Sequence, residues 1–301
     1  MKIVLLTGAT GFLGSGVARA LIQDGYRVIA IKRRSSSLHR LGGLLDKLVF
    51  YDVEEIDVNK IFTENGQVNA VIHTATCYGR SGESASNILE TNVTWPLQLL
   101  ESAQHYGVKL FINTDTSSHS RIDTSSYLNA YSLSKKQFSL WGEHVVKNRK
   151  IIFLNIRVEQ LYGPSDDRNK FTSWVIESCL KNQPKIKLTA GQQRRDFIYI
   201  DDAIYAFTML MRQSTELDNG YHQIGLGTGN SVTIRYFIEL SHKLSKSTSE
   251  LCFGALPYRE HEYMESYADT KMLNHLGWKA KTSLDHGINK TLESLWLKIT
   301  H

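Results

Sequence analysis

Tyr131-Ser132-Leu133-Ser134-Lys135 places a phenol and an ammonium four residues apart. On a helix that spacing puts both side chains on one face. The ammonium favours the phenolate, so it is expected to lower the tyrosine pKa from about 10 toward working pH. Such a tyrosine passes a proton to or from a carbonyl oxygen, and a neighbouring hydroxyl holds that oxygen. A hydroxyl is offered upstream, where Phe111-Ile112-Asn113-Thr114-Asp115 runs out into Thr116-Ser117-Ser118. Tyr-x-x-x-Lys alone recurs by chance, and its weight here comes from what precedes it in the chain.

At the N-terminus the apolar run Ile3-Val4-Leu5-Leu6 stops at Thr7-Gly8-Ala9-Thr10-Gly11-Phe12-Leu13-Gly14. A helix follows, with Leu13, Val17 and Leu21 on one face and Gly25 as its stop. Strand, glycine loop and helix N-terminus together make a phosphate cradle. Gly8 allows the turn, Gly11 lets a pyrophosphate approach the backbone, and Gly14 lets the helix pack on the strand. Thr10, Phe12 and Leu13 belong to the same cofactor loop. The spacing is Gly-x-x-Gly-x-x-Gly, and in this context it points to a dinucleotide.

The second strand ends Lys32-Arg33-Arg34, where dinucleotide folds meet the adenosine ribose. An acid there prefers NAD; basic side chains suit a 2′-phosphate and hence NADP(H). Asp52-Val53, after the third strand, either touches the adenine edge or serves a turn. His73-Thr74-Ala75-Thr76 follows the fourth strand at the edge where ligands bind, with His73 read as a structural hydrogen-bonder.

The elements that must hold these residues alternate. Strands are expected at Lys2–Leu6, Arg27–Ile31, Leu48–Tyr51, Ala70–His73, Lys109–Thr114 and Ile151–Ile156. Helices are expected at Ser15–Asp24, Glu83–Tyr106 and Tyr131–Lys147, with a kink at Pro96. This is the pattern of an α/β fold, a Rossmann-type doubly wound parallel sheet. The 301 residues, 42% hydrophobic and 22% charged, describe an ordinary globular chain. A formal charge of +5 is too small to imply nucleic acid and fits anionic small molecules. The three cysteines include no CxxC pair, so a disulfide framework or zinc site is not expected and a reducing compartment is. No stretch approaches the roughly 20 apolar residues of a membrane span, and the expected location is cytoplasmic.

These residues resemble the extended short-chain dehydrogenase/reductase superfamily, in its nucleotide-sugar epimerase/dehydratase branch. The likeness covers nearly the whole chain. It includes the glycine loop, Thr116 with Tyr131 and Lys135, Arg157 to Pro164, Arg195-Asp196-Phe197-Ile198, and Leu276-Gly277-Trp278. It implies that Thr116, Tyr131 and Lys135 are catalytic. It implies cofactor contacts from Thr74, Ala75, Thr76 and Asn92 besides the loop and strand ends. It implies substrate contacts from Thr76, Thr116, Tyr131, Gln160, Asn169, Phe171, Arg195 and Arg259, both arginines facing a diphosphate. Where the family carries Phe-Asn this chain has Glu159-Gln160, and where 4,6-dehydratases carry Asp-Glu it has Ser117-Ser118. The second departure argues against dehydration. Asp202 is expected to cap the helix Ile204–Met211.

The implied domains are 1–163, an NADP(H)-binding Rossmann domain to which part of 196–226 returns, and 164–301, a mainly substrate-binding, smaller and discontinuous C-terminal domain. Idiosyncratic pairs, Asn113-Thr114-Asp115 and Arg157 with Glu159 among them, point within the branch to NADPH-dependent 4-ketoreductases. Their substrates are CDP-linked 3,6-dideoxy-4-keto-hexoses of O-antigen and lipopolysaccharide synthesis. A 4-epimerase with retained cofactor and a non-catalytic NADP(H) sensor are the alternatives. The family's habit implies a homodimer, and neither nucleic acid, membrane nor metal is expected.

Overall fold

A computed structural model describes residues 1–118 and 129–300, the side chains of 298–300 apart. The chain divides into two compact units, Met1–Arg157 with Ile204–Ile224, and Val158–Ala203 with Gly225–His301.

The first unit begins with β1 (Ile3–Thr7), α1 (Phe12–Gln23), β2 (Arg27–Lys32), β3 (Leu48–Asp52), α2 (Val58–Asn65) and β4 (Val68–His73). It continues with α3 (Ala85–Leu89), α4 (Trp95–His105), β5 (Leu110–Thr116), α5 (Asn129–Val146) and β6 (Ile152–Val158). After β7 (Gln160–Tyr162), α6 (Phe171–Leu180), β8 (Lys185–Leu188), β9 (Arg194–Arg195) and β10 (Phe197–Tyr199), α7 (Ile200–Gln213) leads to β11 (Gly220–Leu226). The remainder is β12 (Val232–Thr233), α8 (Ile234–Leu244), β13 (Glu250–Phe253), α9 (Lys271–His275) and α10 (Leu284–Thr300).

The expected doubly wound sheet is present: seven parallel strands in the order β11-β6-β5-β4-β1-β2-β3. Its strands are apolar runs because both faces are covered. Leu5, Ile29, Val71, Phe111 and Phe153 have no exposure. Burying each such side chain is worth about 1.5–3 kcal/mol. Phe111 stacks on Phe153 at 5.4 Å, and Phe138 of α5 meets both edge-on. Gly25 adopts φ +81° and closes α1, with the Tyr26 N–H returning to the Leu21 carbonyl at 3.0 Å.

β1 and β4 are neighbours, yet the chain leaves β1 for β2 and leaves β4 for β5. That divergence is the switch point, and it opens a crevice at their carboxyl ends. The stretch expected as one helix from Glu83 to Tyr106 is α3, a π-helical turn over Glu90–Thr94, and α4. The Trp95 N–H donates to the Glu90 carbonyl, and Pro96 is the second residue of α4, in the first turn where proline is tolerated.

In the second unit β7 pairs in parallel with β10, β8 with β13, and β9 antiparallel with β12. Phe197 stacks on Phe237 of α8 at 4.4 Å, with Tyr162 edge-on to both. Asp202 does not cap the helix as expected, because α7 already starts at Ile200. Its carboxylate accepts the Lys281 and Thr282 N–H groups at 3.1 and 2.9 Å, and its carbonyl accepts the buried Trp278 indole N–H at 3.2 Å. Among the described residues no helix is long and apolar enough to cross a membrane.

Candidate active site

The glycine loop turns tightly: Gly8 sits at φ +70°, and the Gly11 N–H donates to the Gly8 carbonyl at 2.9 Å. A Cβ on Gly14 would run into the Gly8 carbonyl and the Thr74 hydroxyl, so only glycine lets α1 lie this close to β1 and β4. No side chain caps α1 at Gly11. The first N–H groups of a helix have no intrahelical acceptor, and an anion is what such a helix start suits. The chain's own chemistry here fits a dinucleotide pyrophosphate.

Beside this loop the Thr7 hydroxyl accepts the Thr74 and Ala75 N–H groups, both at 3.2 Å. With both acceptor sites used, it donates its proton to His73 Nδ1 at 2.8 Å, which assigns the proton on the ring to Nε2. Burial first, and Lys135 second, hold His73 well below its ordinary pKa. His73 thus fixes the Thr74–Ala75 strand end as a neutral ring.

The basic strand end is not bare. Lys32 pairs with Asp52, and Arg34 with Glu55. The Arg34 N–H also donates to Glu54 at 3.1 Å. Asp52 therefore meets Lys32, and its carbonyl opens a turn by accepting the Glu55 N–H at 3.0 Å. The Val53 N–H is taken by the Lys32 carbonyl at 2.8 Å. Arg33 is exposed and lies within electrostatic reach of Glu83.

Thr116 and Tyr131 meet, and Lys135 stands one turn along α5 from Tyr131. Tyr131 and Lys135 are 8% and 2% exposed on α5, and Thr116 ends β5. The Thr116 hydroxyl bonds Tyr131, and it also meets Ser118 at 2.9 Å, which meets Ser132 at 2.9 Å. The expected tuning of Tyr131 by Lys135 is overturned. Burial pushes Tyr131 well above its ordinary pKa, Tyr78 and Asp115 push the same way, Thr116 and Arg80 oppose them, and Lys135 is not among the causes. The ammonium reaches instead toward Thr76 Oγ1 at 3.4 Å. Burial lowers Lys135 itself to about 8, with Asp115 pulling back up. Sharing a helix face brings two residues near, but the direction of the lysine stem decides what its charge acts on.

Asn92, expected against the cofactor, is 1% exposed and its amide is engaged by protein. It accepts the Cys77 N–H and donates to the Cys77 carbonyl, both at 2.8 Å, and donates to Ser134 at 3.0 Å. It ties the loop after β4 to α5 next to Lys135.

In the second unit Arg195 is 5% exposed, and its guanidinium donates to Glu262 at 2.6 Å and to the Arg194 carbonyl at 2.7 Å. The Glu262 N–H in turn donates to the Arg259 carbonyl at 3.1 Å. One turn thus connects two arginines far apart in sequence, with Arg259 exposed. Gln160 begins β7, its N–H on the Asp196 carbonyl at 3.0 Å. Asn169 is exposed, its N–H on Asp167 at 3.0 Å, and Phe171 opens α6 at 38% exposure. Glu159 is buried and accepts the Ser266 hydroxyl at 2.6 Å.

The family model for the NAD-dependent epimerase/dehydratase family matches residues 4–225. The chain belongs to that family. Across family members it is 34% identical to the CDP-abequose synthase of Salmonella muenchen, covering 97% of each chain. To the CDP-abequose synthase of Salmonella typhimurium it is 32% identical, covering 98% of each. Among solved structures it is similar to the UDP-glucose 4-epimerase of Thermotoga maritima, at 24% identity and a TM-score of 0.85 over 99% of each chain.

Within this family fold, sequence reasoning missed the polar side chains under the site. Asn113 donates to Asn155 at 2.7 Å, and Asn155 donates to Asp115 at 2.6 Å and to Ser139 at 3.0 Å. Ser139 meets the Tyr221 hydroxyl at 2.8 Å, and Arg157 lies 3.7 Å from Asp115. A signal was present. Asn113 and Asp115, then Asn155 and Arg157, alternate at the ends of two otherwise apolar strands, which puts each pair on one sheet face.

Proposed function

We propose that this protein is an NADPH-dependent nucleotide-sugar 4-ketoreductase. The observation that carries the reading is Tyr131, a buried phenol hydrogen-bonded by Thr116 and held in its protonated form. That is a proton donor waiting for a carbonyl oxygen.

The dinucleotide's contribution is a hydride to the carbonyl carbon. Gly8, Gly11 and Gly14 give its pyrophosphate close backbone approach, and the α1 N-terminus offers the N–H groups. Arg33 takes the 2′-phosphate, since Lys32 and Arg34 already hold carboxylates. Tyr131 gives its hydroxyl proton to the ketone oxygen while Thr116 orients that oxygen. Lys135 keeps a positive charge beside the reacting group. Exposed Arg259 takes the sugar nucleotide's diphosphate, a role that suits the planar guanidinium, and Arg195 is assigned to the same diphosphate through the turn that its bond to Glu262 holds. Gln160, Asn169 and Phe171 are assigned to the same substrate.

Ser117 and Ser118 after Thr116 leave no acid pair for water loss. The likeness to CDP-abequose synthases supports a CDP-linked 3,6-dideoxy-4-keto-hexose as substrate. The test is loss of NADPH absorbance with that substrate, beside the dTDP, GDP and UDP keto sugars, and the C4 configuration of the product by NMR. One NADPH per sugar and a single C4 epimer are expected. Conversion of a non-keto sugar nucleotide to its 4-epimer without NADPH loss would replace this reading with an epimerase. Reduction of another nucleotide's keto sugar alone would overturn only the choice of base.

A further inference from the structure

Asp115 is a buried carboxylate that the roles above leave without a function. It precedes Thr116 in β5 and is 3% exposed. One oxygen accepts the Thr116 N–H at 2.8 Å, and Thr116 in turn holds Tyr131. The other accepts the Asn155 amide at 2.6 Å. That amide also reaches Ser139 at 3.0 Å, one helical turn beyond Lys135. Arg157 Nε stands 3.7 Å from the same carboxylate oxygen, beyond hydrogen-bond range. The carboxylate is thus anchored both to the residue that holds Tyr131 and to the helix that carries Lys135.

We propose that Asp115 is a positioning residue, the internal counter-ion of the Tyr131–Lys135 pair, and that it biases the pair toward the proton-donating state; the inference rests on the ketoreductase reading. A nearby negative charge favours proton retention on each neighbour. It keeps the ammonium on Lys135, where burial works against charge, and it keeps the proton on Tyr131. A reductase begins each turnover with that proton on the tyrosine, whereas oxidation of a sugar begins with it removed. The other groups facing the pair are Tyr78 and Arg80 from the loop after β4 and neutral His73 from β4. Arg157 of β6 and Tyr221 of β11 face Asp115 itself.

Asp115→Asn keeps the shape and removes the charge. In the full chain labelled with 13C-lysine, the Lys135 signal is identified by its loss in Lys135→Met. Its titration midpoint should fall by about one pH unit in Asp115→Asn. Arg157→Gln removes the opposing cation and should raise the midpoint. With NADPH and the 4-keto sugar, the high-pH limb of kcat/KM should move in the same two directions. A merely structural role would lower the whole profile and leave its limb in place. Midpoints that stay put, or that move the same way in both variants, overturn the proposal. If Asp115→Asn does not fold, Arg157→Gln decides alone: a raised midpoint supports the counter-ion and any other result overturns it. The NMR midpoint needs neither substrate nor cofactor. A native protein that reduces no keto sugar would therefore sink the ketoreductase reading without deciding the electrostatic one.

Discussion

Lys135 in the first unit and Arg195 in the second are both buried cations, 2% and 5% exposed, and they are held in opposite ways. Arg195 donates directly to a carboxylate, Glu262, at 2.6 Å. Lys135 has a neutral hydroxyl, Thr76, at 3.4 Å, and Asp115 acts on it only through space. Its charge is consequently labile, with a pKa pulled down to about 8, while the guanidinium stays charged at any working pH. A lysine whose contact is a neutral hydroxyl suits a place where protonation must respond to a reaction. An arginine with one suits a place where charge must persist.

The largest test of the contrast is at the proton itself. Tyr131→Phe removes the hydroxyl beside the labile cation and should cut turnover by roughly 10²–10⁴. Affinity for NADPH, measured by titration, should stay close to native. Retained turnover would show that the first unit's buried pair does not move the proton.

The next separates the two cations by stability. The folded Lys135 titrates near 8 and an unfolded lysine near 10.5. Between these values the unfolded chain holds a proton the folded one has lost, so stability rises with pH across that window. Below pH 8 the full cost of burying the charge applies. Lys135→Met should therefore stabilise the fold by about 3 kcal/mol at pH 7, an advantage that shrinks above pH 8, while turnover collapses. Denaturant melts of both proteins at several pH values read this. A destabilised Lys135→Met would mean the lysine is better compensated than its surroundings indicate.

Glu262→Gln asks the converse question. Losing the charged partner of Arg195 should cost about 1.5–3 kcal/mol. Because the guanidinium does not titrate, the cost should stay flat from pH 6 to 9. A pH-dependent cost would break the distinction between the two cations.

The smallest effect concerns an exposed cation. NADPH should bind about tenfold more tightly than NADH, the value of one charge-assisted contact at its lower end. Arg33→Ala should erase most of that preference, whereas Lys32→Ala should not, since Lys32 is engaged by Asp52. Equal affinities in the native protein would remove the NADP(H) assignment.

Much of the first unit was legible in advance because its signals are local. Six apolar runs, a glycine loop and a four-residue spacing each lie within a short window, and the sheet, α1 and the shared helix of Tyr131 and Lys135 follow them. The π-helical turn before Pro96 was not legible, because the proline marks a missing donor without saying whether the helix bends or widens.

The sequence by itself determined which residue types stand at the strand ends, and therefore that a phenol and an ammonium share a helix that follows a hydroxyl at the end of a parallel strand. Tertiary structure alone decided what each charge faces. Lys32 finds Asp52 twenty positions on, Arg195 finds Glu262 across 67, and Asp202 closes on Lys281 across 79. None of these pairings leaves a periodic trace. The same holds for Tyr131, whose proton is held first by burial and then by Tyr78, with Asp115 of β5 adding to them, while the lysine one turn away is not among the causes. Local spacing sets which side chains are neighbours on an element. Burial and long-range pairing set the energy of their charges, because both depend on what the fold removes from water.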